Sequence, residues 1–92
     1  MPHILLLYDY VGDILERRGP YRAEHLAALD REKQAGHVLI AGPYGDPPVG
    51  AAFVFKGVEA EHVRSFVLAD PYVSAGLVRD WRVEPYTLVV AP

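Results

Sequence analysis

Two short segments of this chain are apolar at consecutive positions, and they restrict its fold more than anything else in it. They are His3 to Tyr10 (HILLLYDY) and Ala51 to Lys56 (AAFVFK). A strand with one wet face alternates apolar and polar residues, because successive side chains point to opposite sides. A strand that is apolar on both sides belongs in the middle of a sheet, with both faces covered. The longest apolar run, Ile4 to Tyr8, is far shorter than the ~20 residues that span a bilayer. Both segments are therefore read as inner strands of a soluble protein.

The rest of the chain supplies what joins and covers them. Gly19-Pro20 marks a helix start, since the missing N–H of a proline would be unpaired in the first turn anyway. The helix is expected from Pro20 to about Ala35, with Gly36 just past its end. Val11 to Arg17 connects the first strand to it, with one helical turn capped by Asp13. His37 to Ala41 (HVLIA) reads as a second strand, and Gly42 to Gly50 as a tight hairpin loop. That loop has no Lys-Ser/Thr and opens no helix, so it does not cradle phosphate. Val63, Phe66 and Val67 share one face of a second helix, Glu59 to Ala69. Asp70-Pro71 ends it, because a residue before proline avoids the helical region. A short helical turn, Pro71 to Ala75, follows with Asp70 as N-cap and Gly76 as stop. Val78 to Val90 is the last strand. Pro85 lacks a ladder donor, so this strand is expected at an edge, or bulged at that point.

The order is β-α-β-β-α-β. It predicts an α+β, ferredoxin-like antiparallel sheet with helices on one face and the first and third strands at its centre. The whole chain, residues 1–92, makes one domain. Two helices cover one sheet face only, so the apolar residues of the other face would be exposed in a monomer. Such a patch marks an association surface, and a homodimer packed through that face is the economical solution. A net charge of −3 with no Lys/Arg cluster argues against nucleic acid as a partner. The chain has no cysteine, which excludes disulfides, thiol nucleophiles and Cys-based zinc sites. With no signal-peptide pattern at the N-terminus, a cytoplasmic location away from membranes is expected.

Chemistry-bearing residues concentrate in the first helix. At about 100° per residue, Arg22, His25, Leu26 and Leu29 fall in one arc. Leu26 and Leu29 are expected to face the sheet, which leaves His25 at the margin of the buried face. There it is either a boundary histidine held by hydrogen bonds or a general acid/base, since imidazole titrates near neutral pH. Arg18 and Arg22 lie one turn apart. They either hold an anionic group, which suits the guanidinium fork, or pair on the surface with Asp9, Asp13 or Glu16. Asp9 closes an apolar strand, where an acid is unexpected unless it is a simple turn residue. Asp70 has a ready role as a cap, and a capping carboxylate can also orient an imidazole. His3, His37 and His62 show no paired ligand spacing with His25, so no metal site is expected.

Taken together, R-x-x-x-R-x-x-H-L at Arg18, Arg22, His25 and Leu26, AGP at Ala41 to Pro43, and DPY-x-x-AG-L at Asp70 to Leu77 form a pattern. With the strand-end Asp9 and Pro85-Tyr86, the chain resembles the YciI-like (YCII-related) family over nearly its whole length. The resemblance implies a ferredoxin-like fold related to the dimeric α+β barrels, a homodimer, and enzymatic activity centred on a His–Asp pair, here His25 and Asp70. A relative in that family eliminates chloride from a chlorinated hydroxyquinol, and muconolactone isomerases have a similar fold. The implied function is a cofactor-free enzyme of the lyase or isomerase kind acting on a small anionic or aromatic metabolite. His25 would move the proton and Asp70 would orient it. Arg22, Arg18 and Asp9 would contact substrate, and Gly42, Pro43 and Tyr72 would wall the pocket. The alternative is a non-catalytic dimeric module that binds a metabolite in the same pocket.

Overall fold

The computed structural model describes residues 3–92. The elements are β1 (His3–Tyr10), α1 (Ile14–Arg17), α2 (Gly19–Gln34), β2 (Val38–Tyr44), β3 (Gly50–Phe55), α3 (Ala60–Ala69), α4 (Pro71–Ser74) and β4 (Val78–Tyr86). The four strands form one antiparallel sheet in the order β2-β3-β1-β4. This is the ferredoxin-like arrangement, with the two doubly apolar strands at the centre.

Alternation along β1 divides the molecule. Ile4, Leu6, Tyr8 and Tyr10 are buried and face the helices, while His3, Leu5, Leu7 and Asp9 point the other way. In the register, Ile4 lies opposite Phe55, Leu6 opposite Phe53 and Tyr8 opposite Ala51, so β3 continues the same buried layer. Val63, Phe66 and Val67 of α3 close over it, with Ile14 from α1 and Leu77 before β4. Each large side chain taken fully out of water here contributes roughly 1.5–3 kcal/mol. No helix of the described residues is long and apolar enough to cross a membrane.

The structure departs from the sequence expectations in four places. β2 runs on through Gly42 and Pro43 to Tyr44, so the hairpin loop is shorter than expected. β2 is an edge strand, where proline is tolerated. β4 stops at Tyr86, short of Val90. It is an edge strand, as Pro85 requires, but the irregularity in its pairing falls between Asp9 and Tyr10. Asp13 precedes a real helical turn yet makes no side-chain capping bond, and pairs with Arg17 at 3.5 Å instead.

The fourth departure concerns α2. His25 is its buried residue, whereas Leu26 is 46% exposed. Periodicity gave the right stripe and the wrong centre. The reason is that α2 packs on α4 as well as on β2, and His25 is the residue that meets α4, stacked on Tyr72 and bonded to Asp70. The helix ends as its glycine requires. Gly36 takes φ 80°, its N–H donates to the Lys33 carbonyl at 2.9 Å, and the next N–H, from His37, returns to the Glu32 carbonyl at 2.9 Å. That is a Schellman closure, and it folds His37 back over the last turn of α2.

Candidate active site

Asp70 ends α3 and starts α4 in extended conformation, and its side chain is wholly buried. Its Oδ1 accepts the Tyr72 N–H at 2.9 Å, which caps α4 as the Asp-Pro pattern predicts. Its Oδ2 accepts the Tyr8 hydroxyl at 2.7 Å. His25 Nδ1 lies 2.9 Å from Oδ1 and 3.0 Å from Oδ2. A buried carboxylate with three neighbours of this kind acts as acceptor to all of them. Nδ1 therefore carries its hydrogen and donates it, which leaves Nε2 as the ring nitrogen not engaged by Asp70. Two residues far apart in sequence are thus locked together by a residue whose first task is to begin a helix.

The imidazole is fixed from a second direction. Its ring stacks on that of Tyr72, with centroids 3.9 Å apart and planes within 4°. Tyr10 meets Tyr72 edge-on at 6.3 Å. Burial is the main cause that raises the hydroxyl pKa of Tyr8 far above its ordinary value, with the Asp70 charge adding to it. Burial also pushes Tyr10 up to about 12, helped by Tyr72 and Asp70 and opposed by Arg18 and Arg22. Both phenols stay protonated at neutral pH.

A cavity of ≈150 Å³ opens beside this assembly. Tyr10, Ala51 and Phe53 of the sheet, Tyr72 of α4, and Arg18, Arg22, His25, Leu26 and Leu29 along α2 line it, with Ala41, Gly42 and Pro43 on the far wall. A dry apolar cavity of about that size accepts a single aromatic ring. Its lining is mostly apolar, while Arg18 and Arg22 add positive charge. None of the ion pairs among the described residues uses either arginine. Asp13, one expected partner, is taken by Arg17, and Asp9, another, lies nearest Arg79 at 3.7 Å. Among the described residues, Tyr72 has the one buried side-chain polar atom with no hydrogen-bond partner, its hydroxyl. An orphan of that kind costs about 1–3 kcal/mol until something bonds to it.

Of the eight residues read from the sequence as site candidates, seven gather here. Arg18, Arg22, His25, Gly42, Pro43 and Tyr72 line the cavity, and Asp70 sits behind His25. Asp9 does not join them. It pairs with Gly50 and Asp80 on the side of the sheet away from the helices, because side-chain alternation sends position 9 opposite to Tyr8 and Tyr10. Its place among the substrate contacts is withdrawn. Tyr10 was missed, and Tyr8 reads from the sequence as a possible pocket aromatic but more readily as core, since in a continuously apolar strand a tyrosine looks like one more core residue. The signal available was two tyrosines on the face shared with Leu6.

Away from the cavity, two histidines set aside on spacing come together. His37 Nδ1 lies 3.0 Å from Glu32 Oε2, and His62 Nε2 approaches Glu32 Oε1. Spacing along the chain gave no hint of this cluster, because α3 delivers one of its members from thirty positions away.

Comparison with known proteins fits this picture. The model of the YCII-related domain matches residues 1–87. YciI of Escherichia coli is 35% identical over 87 residues, covering 85% of this chain and 89% of that protein. An uncharacterized protein of Haemophilus influenzae is 30% identical over 98 residues, covering 97% of this chain and 99% of its own length. Among solved structures, 5-chloro-2-hydroxyhydroquinone dehydrochlorinase of Burkholderia phenoliruptrix, in complex with 2,5-dihydroxybenzoquinone, superposes with a TM-score of 0.78. It is 26% identical, and the match covers 92% of this chain and 93% of the enzyme. Fold, sequence order and relatives agree: the chain belongs to the YCII-related family.

Proposed function

We propose that this protein is an acid–base enzyme of the lyase or isomerase kind, acting on a small anionic ring compound. The observation that carries the reading is the His25–Asp70 contact. With Nδ1 committed to Asp70, Nε2 is the nitrogen left to exchange a proton with a ligand. The carboxylate then stabilises the imidazolium that forms, as an orienting acid does in other His–Asp pairs. In an isomerisation, the proton taken by Nε2 returns to a neighbouring atom of the same substrate. In an elimination, a leaving anion departs with its bonding electrons and the proton passes from His25 to solvent.

Substrate class follows from the walls. Apolar surface and a volume near that of one ring favour a flat aromatic or quinonoid body. Arg18 and Arg22 suit a carboxylate or phenolate at its rim. The fold neighbour is a dehydrochlorinase with a dihydroxybenzoquinone bound, which supports the same class here.

The test is turnover of a panel of hydroxyquinones, chlorinated hydroquinones and lactones by the wild type and by His25→Ala. Loss of the general acid/base lowers kcat by roughly 10²–10⁴. Activity that survives the substitution intact would remove His25 from the mechanism. Saturable binding of panel members with no turnover by the wild type would point instead to a non-catalytic metabolite-binding module.

A further inference from the structure

The Glu32–His37–His62 cluster lies at the C-terminal end of α2, past Leu29, the last α2 residue that lines the cavity, and seven residues or ~10 Å along the helix from His25. One ligand-type atom from each residue lies within 4.8 Å of the other two. The three side chains arise from α2, the α2–β2 connection and α3. Glu32 is in the last turn of α2. His37 follows the Schellman closure and is held there by two backbone bonds, its N–H to the Glu32 carbonyl and its carbonyl from Lys56 N–H, both 2.9 Å. His62 is in the first turn of α3. The two imidazoles meet nearly edge-to-face, with centroids 4.9 Å apart and planes at 77°. Each carboxylate oxygen of Glu32 faces a different ring nitrogen.

Two imidazoles held on one carboxylate bring three potential ligand atoms within 4.8 Å of one another. Two imidazole nitrogens and one carboxylate oxygen form a donor set typical of zinc and its first-row neighbours. Zinc holds such ligands at ~2.0–2.2 Å, which in tetrahedral geometry places the donors ~3.4 Å from one another. That separation is within reach of the present positions by small side-chain rotations. The side chains remain 14–40% exposed, so an ion can enter from solvent and a fourth position stays available to water. We infer that Glu32, His37 and His62 form a binding site for a divalent first-row transition metal, zinc foremost, which clips the end of α2 to the starts of β2 and α3.

The site is independent of the chemistry at His25, and its test is kept separate. Zinc chloride is titrated into the metal-free protein by calorimetry. Cobalt(II) is then substituted and its visible d–d absorption recorded as a report of tetrahedral nitrogen and oxygen ligation. One ion per chain is expected, with affinity weakened roughly ten-fold or more in His62→Gln and in Glu32→Gln and unchanged in His25→Ala. His62 is the most exposed of the three, so its variant is the least exposed to folding failure; circular dichroism confirms the fold before titration. The inference is overturned by the absence of saturable zinc binding to the wild type. It is equally overturned by binding that persists undiminished in both His62→Gln and Glu32→Gln, or that disappears in His25→Ala.

Discussion

Asp70 has two oxygens and three donors around it. Tyr8 in the sheet, the Tyr72 backbone in α4 and His25 in α2 all end on this one carboxylate. No water reaches it to compensate for a lost partner, since its side chain is wholly buried. Replacing Asp70 with alanine strands a hydroxyl, a backbone N–H and an imidazole N–H together. Breaking a buried charged pair in this way costs about 3–5 kcal/mol, a large part of the stability of a chain this short. Urea unfolding of Asp70→Ala is expected to show a loss in that range. A loss below ~1 kcal/mol, in the surface-substitution range, would mean that Asp70 organises nothing. His25→Ala removes one donor and leaves the cap intact, so it is expected to cost less than Asp70→Ala while removing the proposed activity.

Strand β3 shows how elements impose residue choices that composition hides. Gly50 opens β3 between Asp9 of β1 and Tyr44 of β2. A Cβ there would fall onto the Tyr8 carbonyl oxygen and the Tyr44 hydroxyl. The close approach lets the Tyr44 ring lie over the strand and keeps the floor of the cavity, Ala51 and Phe53, in register. Gly50→Ala is expected to destabilise by about 1–3 kcal/mol, the usual penalty for overpacking, seen as a lower thermal midpoint. An unchanged midpoint would show that the neighbours yield freely.

At this scale the sequence was most legible where one local rule governed an element. Doubly apolar runs gave β1 and β3, Gly36 gave the end of α2, and Asp70-Pro71 gave the α3–α4 break. It was least legible where placement depended on a distant neighbour. The packing of α2 on α4 buried His25 while Leu26 stayed exposed. The edge position of β2 let it continue through Pro43. Glu32, His37 and His62 converge only because α3 returns across the sheet.

For the whole molecule, the sheet face away from the helices remains open. Leu5 and Leu7 of β1 are half-buried there, and Ile40 of β2 is 64% exposed. Asp80, Arg82 and Glu84 of β4 lie beside them, opposite Asp9, Leu7 and Leu5. An apolar strip bordered by charges of both signs suits a second copy of the same chain turned by a twofold axis. We propose a homodimer through this face. Sedimentation velocity is expected to show a dimer at micromolar concentration that Leu7→Lys converts to monomer. A wild type that sediments as a monomer would leave the face without this partner.

The shared use of Asp70 also bears on how such a protein changes over evolutionary time. The carboxylate that positions His25 is the one that starts α4, so drift cannot discard the His25–Asp70 contact without also loosening the fold. The rim of the cavity carries no such double duty. Arg22 and Leu26 are exposed, and a side chain added at Gly42 would meet nothing within 4 Å. Under the proposed function, new substrates would be reached by altering the mouth while the interior stays as it is. Closely similar chains could then share one interior and differ in what they admit to it.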